Sequence, residues 1–261
     1  EYVRSKIFQV EQERISESSK ITLQLLKECK VSATFFVVGE IAEKHPELIE
    51  KISEDGHEIA FHSYHHEPLW RLNAKILHSE IEKFNSIIHE KCEGFRAPSF
   101  SLTNKTKWAL TVLEEAGFLY DSSIFPSRTP LYGVSEAPIK PYKPSHEDVA
   151  KEDPDAKLWE FPLLVYPLMQ LKIPMAGGFF LRFFPIHMLR KTIKKMNEQG
   201  FPAVLYVHNW ELDAQTPKLK LGSYRSFVTY HNVQETERKL KQIIGSFKFS
   251  SFRDYINKHN L

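Results

Sequence analysis

The feature that most constrains the fold of this chain is the regular alternation of short apolar runs with longer amphipathic segments. The clearest apolar run, residues 31–38, is rich in β-branched and aromatic side chains and ends at Gly39. Such a continuous run is typical of a strand that is buried on both faces. Strands that alternate with helices in this way indicate βαβ units and a parallel sheet.

The same alternation continues through most of the chain. We predict further strands at residues 57–62, 94–100, 120–125, 158–165 and 203–210. The helices predicted from helical spacing lie at residues 17–30, 40–54, 73–88, 104–116, 185–199 and 233–245. With a last apolar segment the strands number about seven, which predicts an α/β fold, a single distorted (β/α)7-type barrel formed by one domain. That domain covers residues 1–261.

Composition and charge give no reason to expect nucleic acid or a membrane as a partner. The chain has 261 residues and a formal net charge of +2, so its charge does not require nucleic acid or an anionic membrane. No apolar run reaches the ~18 residues needed to span a bilayer, and we expect no transmembrane segment. The two cysteines, Cys29 and Cys92, do not make a disulfide framework and are expected to be free thiols. Because the chain does not begin with Met, we expect it to be a fragment of a longer protein.

The segment 61–66, with the sequence FHSYHH, directly follows a predicted strand. Active sites of parallel α/β folds lie at the carboxyl ends of strands, and imidazole is a good ligand for divalent transition metals. Catalytic zinc sites usually take three protein ligands and keep one position open for water. The spacing predicts a metal site that includes His62, but it leaves open whether His65 or His66 is the second ligand. A group of surface histidines at a turn is the alternative.

Two other strand ends carry candidate residues. Arg96 lies within an otherwise apolar strand, where a guanidinium needs a buried anionic partner, and a structural ion pair is the simplest explanation. His208 follows the apolar run 203–207, a position that suits proton transfer but also suits a histidine of the core. Trp210 could form a stacking surface for a sugar or belong to the core. Their shared placement at strand ends favours a functional site.

Taken in order, these segments resemble the polysaccharide deacetylase family, also called NodB-homology domains. ATFFVVG at residues 33–39 is similar to the second strand of that family, and GHEIAFHSYHH at residues 56–66 is similar to its metal motif, His-Ser/Thr-x-x-His. FRAP at residues 95–98, YDSS at residues 120–123 and LYVH at residues 205–208 resemble three further motifs, the last of which holds the catalytic histidine.

The resemblance implies a metal-dependent enzyme that removes N-acetyl groups from N-acetylhexosamine units of a polysaccharide. The metal motif selects His66 over His65 as the second ligand beside His62, and the implied divalent metal is Zn²⁺. His208 is implied as the catalytic histidine that protonates the leaving amine. Arg96 is implied as the residue that orients the general base. The implied partner is an N-acetylated glycan or oligosaccharide.

The same resemblance assigns substrate contacts to Pro98, Tyr120, Asp121 and Trp210, with a backbone N–H after the Tyr120–Asp121 strand stabilising the oxyanion. Segments such as RAPSFS, DSSIFP, EFP, AGGFFLR and HNWE are similar to a subgroup linked to exopolysaccharide biosynthesis. The free thiols and this subgroup favour a cytoplasmic location. The oligomeric state stays open.

One departure from the family pattern concerns the acidic motif that ends its first strand and supplies the general base and the third metal ligand. Glu1-Tyr2 could be the tail of that motif, so we expect the first strand and the base to lie upstream of residue 1. Two alternatives therefore stay open. One is a glycan-binding module of the same fold with impaired catalysis, and the other is a metal amidohydrolase that acts on small amides.

Overall fold

The structure of the protein, a computed structural model, describes residues 2–129 and 132–261, with side chains described from residue 14 onward within these ranges. Its centre is a sheet of five parallel strands that follow one another in chain order. The strands are β1 (Thr34–Val37), β2 (Glu58–Phe61), β3 (Gly94–Phe95), β4 (Tyr120–Asp121) and β5 (Trp159–Glu160). The predicted α/β class with a parallel sheet is confirmed.

The α-helices connect and cover these strands. They are α1 (Tyr2–Cys29), α2 (Gly39–Lys44), α3 (Pro46–Glu54), α4 (Ala74–Ile87), α5 (Trp108–Glu115), α6 (Gly178–Phe183), α7 (Ile186–Glu198), α8 (Ser223–Tyr230), α9 (Thr236–Ile244) and α10 (Phe252–His259). The apolar faces of α3, α4 and α7 are buried, as their helical spacing predicts. Within the described part of the chain, no helix combines the length and the apolar character needed to cross a membrane.

The hydrogen-bond ladder of the sheet continues one residue past several strand ends. The backbone N–H groups of His62, Arg96 and Ser122 each donate to the last residue of the preceding strand, at 2.9–3.0 Å. Because parallel strands end at the same edge of a sheet, these bonds place three polar residues side by side at the carboxyl edge.

The described strands do not close into a barrel. The predicted strand 203–210 contributes a parallel bridge between Val204 and Leu163, and it ends in a 3-10 turn at Asn209–Glu211. The expected first strand lies outside the described residues. The result is an open, distorted version of the predicted arrangement.

Two elements replace the single predicted strand 158–165. β5 ends before Pro162, whose nitrogen cannot donate to a sheet. The chain then forms an antiparallel hairpin of β6 (Val165–Leu168) and β7 (Leu171–Pro174). Met169 in the turn has a φ of +53°, and the sequence there lacks the Asn-Gly or Gly signal that usually reveals such a hairpin.

The helices differ from the predicted ones in several places. The predicted helix 40–54 is divided into α2 and α3, because Pro46 disfavours helical backbone at His45, whose φ is −132° and ψ 58°. α1 begins well before the predicted 17–30, since the preceding residues contain good helix formers and neither Gly nor Pro. The short helices α6, α8 and α10 were not predicted, and α10 replaces the last of the predicted strands.

Two hydrophobic clusters form most of the core. One joins β1–β3 to α2–α5, and the other gathers the hairpin, α7, α9 and α10 around β4 and the residues that follow β4 and β5. The irregular segment 132–157 packs against the sheet, because Tyr142 exchanges backbone hydrogen bonds of 3.1 and 2.7 Å with Glu160. Cys29 and Cys92 are free thiols, as expected.

Candidate functional site

His62 stands at the carboxyl end of β2, directly after the last strand residue. Its Nδ1 lies 2.5 Å from the backbone carbonyl oxygen of Arg96, and a carbonyl can only accept a hydrogen bond, so Nδ1 carries the proton. The lone pair of Nε2 is then available. A carbonyl that fixes one imidazole nitrogen in this way is the usual arrangement around a metal-ligating histidine.

A tight turn brings His66 back beside His62. Ser63 and His66 both have left-handed backbone, with φ of +56° and +55°, and the Ser63 carbonyl accepts from the N–H of Gly39 at 3.0 Å. A side chain at Gly39 would overlap the Tyr64 ring, so this close approach requires glycine. The ring centroids of His62 and His66 lie 5.1 Å apart. Two imidazoles at this separation can face one metal ion.

His65 has a different environment. Its side chain is 55% exposed, and its Nδ1 lies 2.9 Å from a carboxylate oxygen of Glu40. Its ring packs edge-on against Tyr64, with 5.0 Å between the centroids. The structure therefore brings His66 next to His62 and gives His65 an ion-pair partner at the surface.

The charge state of His62 suits metal binding. Burial lowers the pKa of His62 well below its usual value, and the positive charges of His66, Arg96 and His208 lower it further. His62 thus lies within electrostatic range of three other candidates that come from separate segments. Its imidazole is neutral near pH 7, which is the form that binds a metal ion.

The donor set present fits part of a zinc site. Neutral imidazoles are among the ligands that Zn²⁺ prefers. Among residues 2–129 and 132–261, no group of three or more His, Cys, Asp or Glu side chains could hold a metal ion. The upstream acidic residues implied by the resemblance, and Glu1 itself, lie outside the described residues. The metal-binding role of His62 and His66 stays a prediction that the geometry permits.

Arg96 is held in a largely neutral environment at the end of β3. Its Nε donates to the Ser122 carbonyl at 2.8 Å and its Nη2 to the Ser122 hydroxyl at 2.7 Å. The guanidinium lies 4.1 Å from the centre of the Phe36 ring. Burial lowers the pKa of Arg96 to about 10, so it remains charged at neutral pH. The expected anionic partner is not found in contact with Arg96 among the described side chains.

His208 and Arg96 share an aromatic neighbour, Tyr206. The Tyr206 ring lies 5.7 Å from the Arg96 guanidinium and 5.6 Å from the His208 ring, centroid to centroid. The His208 side chain is 54% exposed, and its Nδ1 lies 2.7 Å from Glu211 Oε1. The Trp210 ring is nearly parallel to His208, with centroids 6.1 Å apart. His208 is accessible, as a proton-transfer residue must be.

Pro98, Tyr120 and Asp121 are buried in the protein. The Tyr120 hydroxyl donates to Glu58 Oε1 at 2.7 Å, and one Asp121 oxygen accepts from the Ser123 hydroxyl at 2.5 Å. Trp210 is 9% exposed. Substrate contacts by Pro98, Tyr120, Asp121 and Trp210 stay predictions, and in this conformation the first three contact the interior.

The backbone donors after β4 already have acceptors. The N–H of Ser122 donates to the Phe95 carbonyl at 3.0 Å. The N–H groups of Ser123 and Ile124 donate to the Glu160 carboxyl group at 3.4 and 2.9 Å. An oxyanion donor from Ser122, Ser123 or Ile124 therefore requires one of these bonds to open.

Asp121 and Glu160 form a buried carboxyl pair at the ends of β4 and β5. Burial raises the pKa of Asp121 to about 6. Burial and the Asp121 charge raise the pKa of Glu160 well above its usual value. Because two buried carboxylates repel each other, the pair retains one proton at neutral pH, on Glu160.

Sequence reasoning missed two residues next to the site. Glu211 contacts the His208 ring, and Arg182 forms an ion pair with Glu211. Both lie in the AGGFFLR and HNWE segments that carried the family resemblance. The spacing of three residues from His208 to Glu211 was a usable signal, but nothing in the sequence indicated that Arg182 would meet them.

Family models match two successive parts of the chain. A family model described as polysaccharide deacetylase matches residues 12–120, and a model described as a domain of unknown function, DUF3473, matches residues 122–257. Residues 12–120 therefore belong to the polysaccharide deacetylase family. The second half of the chain, which carries His208, corresponds to the DUF3473 model. The predicted family resemblance is confirmed, and the exopolysaccharide subgroup stays a prediction.

Curated relatives match about a third of the chain. A peptidoglycan-N-acetylglucosamine deacetylase of Bacillus cereus is 37% identical over 94 residues, which cover 33% of this chain and 34% of that protein. A chitooligosaccharide deacetylase of Rhizobium leguminosarum bv. trifolii is 34% identical over 70 residues, 27% of this chain and 33% of that protein. The chain thus spans about a third of these relatives.

Two solved structures share the fold of this chain. One, from Mycobacterium smegmatis and described as a polysaccharide deacetylase, has a TM-score of 0.58 and 22% identity, covering 93% of this chain and 76% of that one. The other, an allantoinase, has a TM-score of 0.59 and 17% identity, covering 99% and 76%. These similarities support the distorted α/β fold and nothing about substrate.

Proposed function

We propose that this protein is a metal-dependent N-deacetylase that hydrolyses the N-acetyl groups of N-acetylhexosamine units in a polysaccharide. The observation that carries the proposal is the convergence of the His62–His66 pair, Arg96 and His208, with the Nε2 lone pair of His62 left available. The peptidoglycan and chitooligosaccharide deacetylases among the relatives support the reaction and the class of substrate.

The proposed metal ligands are His62 and His66, and the proposed ion is Zn²⁺. A divalent ion held there would supply Lewis-acid polarisation of an amide carbonyl and a lowered pKa for water. The backbone carbonyl of Arg96 holds the His62 ring in the tautomer that such a ligand needs.

Arg96 and His208 supply the remaining functions within the described residues. Arg96 is a positive charge fixed by Ser122 and Phe36, and it can orient an anionic general base or stabilise developing negative charge. His208 holds a proton on Nδ1 toward Glu211, and Nε2, on the opposite edge of the ring, is the nitrogen that would deliver a second proton to the leaving nitrogen. Water adds to the carbonyl carbon, the C–N bond breaks, and acetate and a free amine leave.

The proposed substrate is an N-acetylated glycan that reaches His208 and Trp210. The half-exposed His208 ring is backed by the nearly parallel indole of Trp210, which is itself 9% exposed. A sugar ring that reaches the edge of this aromatic pair can place its acetamide group toward the histidine pair.

The decisive experiment measures acetate released from N-acetylglucosamine polymers and peptidoglycan by the full-length protein with and without added zinc. We expect zinc-dependent release, and loss of both release and bound zinc in His66→Ala. His65→Ala is the matched control, because His65 lies on the same turn and pairs with Glu40. The proposal is wrong if no N-acetylated glycan releases acetate while His66→Ala binds zinc as the wild type does.

A glycan-binding module without catalysis is the second candidate. Among the described residues, no third side chain completes a metal site with His62 and His66, and no carboxylate contacts Arg96. Both observations favour this candidate. Calorimetric binding of chitooligosaccharides by the full-length protein, with no acetate release in the presence of zinc, would support it. Hydrolysis of small amides in place of polymers would instead favour the amidohydrolase alternative.

A further inference from the structure

A buried ion pair lies directly behind His208, and the proposed chemistry does not use it. Arg182, near the end of α6, bonds through Nη1 to Glu211 Oε2, and the two side chains are 1% and 2% exposed. Burying a charged pair costs free energy unless its remaining polar atoms are hydrogen-bonded. The partners of those atoms therefore indicate what the pair holds in place.

The second oxygen of Glu211 is committed to His208. Oε1 accepts from the ring nitrogen Nδ1 at 2.7 Å and from the backbone N–H of His208 at 3.1 Å. One carboxylate therefore holds both the ring and the main chain of the same histidine. The ring nitrogen Nε2 lies on the opposite edge, away from Glu211, on a side chain that is half exposed.

Arg182 is itself fixed by backbone carbonyls at the C-terminal end of α8. Its Nε donates to the His231 carbonyl at 2.8 Å, and its Nη2 donates to the Thr229 carbonyl at 2.9 Å. Burial lowers the pKa of Arg182 to about 10, so the guanidinium stays charged at neutral pH and can keep Glu211 ionised.

Two glycines make room for this arrangement. A Cβ atom at Gly178 would overlap the carboxylate of Glu211, and one at Gly177, whose φ is +93°, would overlap the Tyr206 ring. The start of α6 therefore packs its bare backbone against the carboxylate. Any larger residue at position 178 would have to displace Glu211 from His208.

We infer that Arg182 and Glu211 are positioning residues for His208: they hold its proton on Nδ1, aim Nε2 at the substrate and stabilise the imidazolium form. The inference rests on the proposed deacetylase function for its catalytic meaning. A carboxylate that orients an imidazole and stabilises its charged form is the physical role of the third group in catalytic triads. The Arg182 guanidinium anchors that carboxylate without contacting the histidine ring.

A merely structural ion pair would give a different result from a positioning pair. If Glu211 stabilises the imidazolium of His208, its removal should make His208 lose its proton at lower pH. Because His208 acts as the acid in the proposed reaction, the alkaline limb of the kcat profile should move to lower pH. A structural pair would change thermal stability and leave that limb in place.

The kinetic test compares Glu211→Gln and Glu211→Asp with the wild type in the zinc-loaded full-length protein. In Glu211→Gln we expect kcat to fall by about 100-fold, with KM little changed and the alkaline limb at lower pH. Glu211→Asp keeps the charge and should retain the wild-type limb. Gly178→Ala should lower kcat without changing any charge.

The matched control is Glu235→Gln. Glu235 also pairs with an arginine, Arg238, but at the surface, and it has no contact with His208. Its substitution should leave kcat and the pH profile unchanged.

A second measurement separates this inference from the proposed function. The His208 ring is titrated by NMR in the wild type and in Glu211→Gln, without substrate. We expect a lower midpoint in Glu211→Gln, and an unchanged midpoint overturns the inference whatever the activity of the protein. A lowered midpoint in a protein that releases no acetate would instead contradict the proposed reaction while supporting the contact between Glu211 and His208.

Discussion

The two parts of the candidate site are held in place by different kinds of interaction. His62 and Arg96 stand at the ends of parallel strands, and their backbone N–H groups extend the ladder of the sheet. His208 follows a segment with one bridge to the sheet, Val204 to Leu163. The first part is positioned by backbone hydrogen bonds, whereas the second depends on particular side chains.

Helix α1 provides much of the side-chain support for the second part. Asn209 donates to the Ser19 hydroxyl at 2.8 Å, and Arg14 forms an ion pair of 2.8 Å with Asp213. With Glu211 bound to Arg182, the polar side chains around His208 are tied to elements that are distant in sequence.

The two parts also lie in regions that match different family models. His62 and Arg96 lie within residues 12–120, which match the polysaccharide deacetylase model, and His208 lies within residues 122–257, which match DUF3473.

The largest expected effects are the losses of activity on replacing His208 or His62, which should differ in whether zinc is also lost. Replacing His208 with Ala should lower kcat by about 10²–10⁴-fold and leave bound zinc unchanged, because in the proposed reaction His208 transfers a proton and is not a metal ligand. His62→Ala should remove the zinc together with the activity. Elemental analysis of the purified variants, alongside acetate release, checks both outcomes. Loss of zinc in His208→Ala would contradict the separation of the metal-binding part of the site from the proton-transferring part.

The next effect concerns Asp121, at the junction of the two matched regions. Its folded-state pKa is about 6, above the ordinary value of 3.8, so the native state holds more protons between these values. The free energy of unfolding should therefore fall as the pH rises from about 4 to 7, by up to about 3 kcal/mol. Urea denaturation at several pH values should show a weaker dependence in Asp121→Asn. Equal slopes in the two proteins would contradict the raised pKa.

Asn209→Ala tests the support from α1. Loss of the hydrogen bonds to Ser19 and Thr22 should cost about 1 kcal/mol of stability and lower kcat/KM about fivefold, with zinc content unchanged. Asn104→Ala is a matched control, since Asn104 also makes side-chain bonds, to Asp148 and Val149, outside the site. Equal activity losses in both variants would show that α1 has no special role.

The smallest effect is expected in a helix that supports only the first part. Asn73 caps α4 by accepting a hydrogen bond from the N–H of Ile76 at 3.0 Å. Asn73→Ala should lower the free energy of unfolding by about 1 kcal/mol, measured by chemical denaturation, with kcat unchanged. A clear change in kcat would mean that the backbone ladder transmits local destabilisation to His62 and Arg96.

The sequence was informative where one local signal decided the structure. The apolar run 31–38 contains β1, and Asn73 caps the helix that its position predicted. It was less informative where two signals competed. Pro46 divided a continuous helical pattern, and the hairpin around Met169 formed without a glycine turn.

The candidate site shows the same limits. The spacing of the histidines could not choose between His65 and His66, and the choice came from the family motif. In the structure the left-handed backbone at Ser63 and His66 brings His66 beside His62. Arg96 was expected to need an anion, but its partners are Ser122 and an aromatic ring.

The sequence by itself determined the α/β class, the order of most strands and helices, and the residues that follow the strand ends. These follow from hydrophobic periodicity and local turn chemistry, which are properties of neighbouring residues. Tertiary structure alone decided that Arg182 and Glu211 would meet behind His208, since 29 residues separate them. It also decided that His62 would find the Arg96 carbonyl, 34 residues away. The His62 and His66 pair is visible as a motif, but the contacts that prepare these histidines for chemistry exist only once the chain has folded.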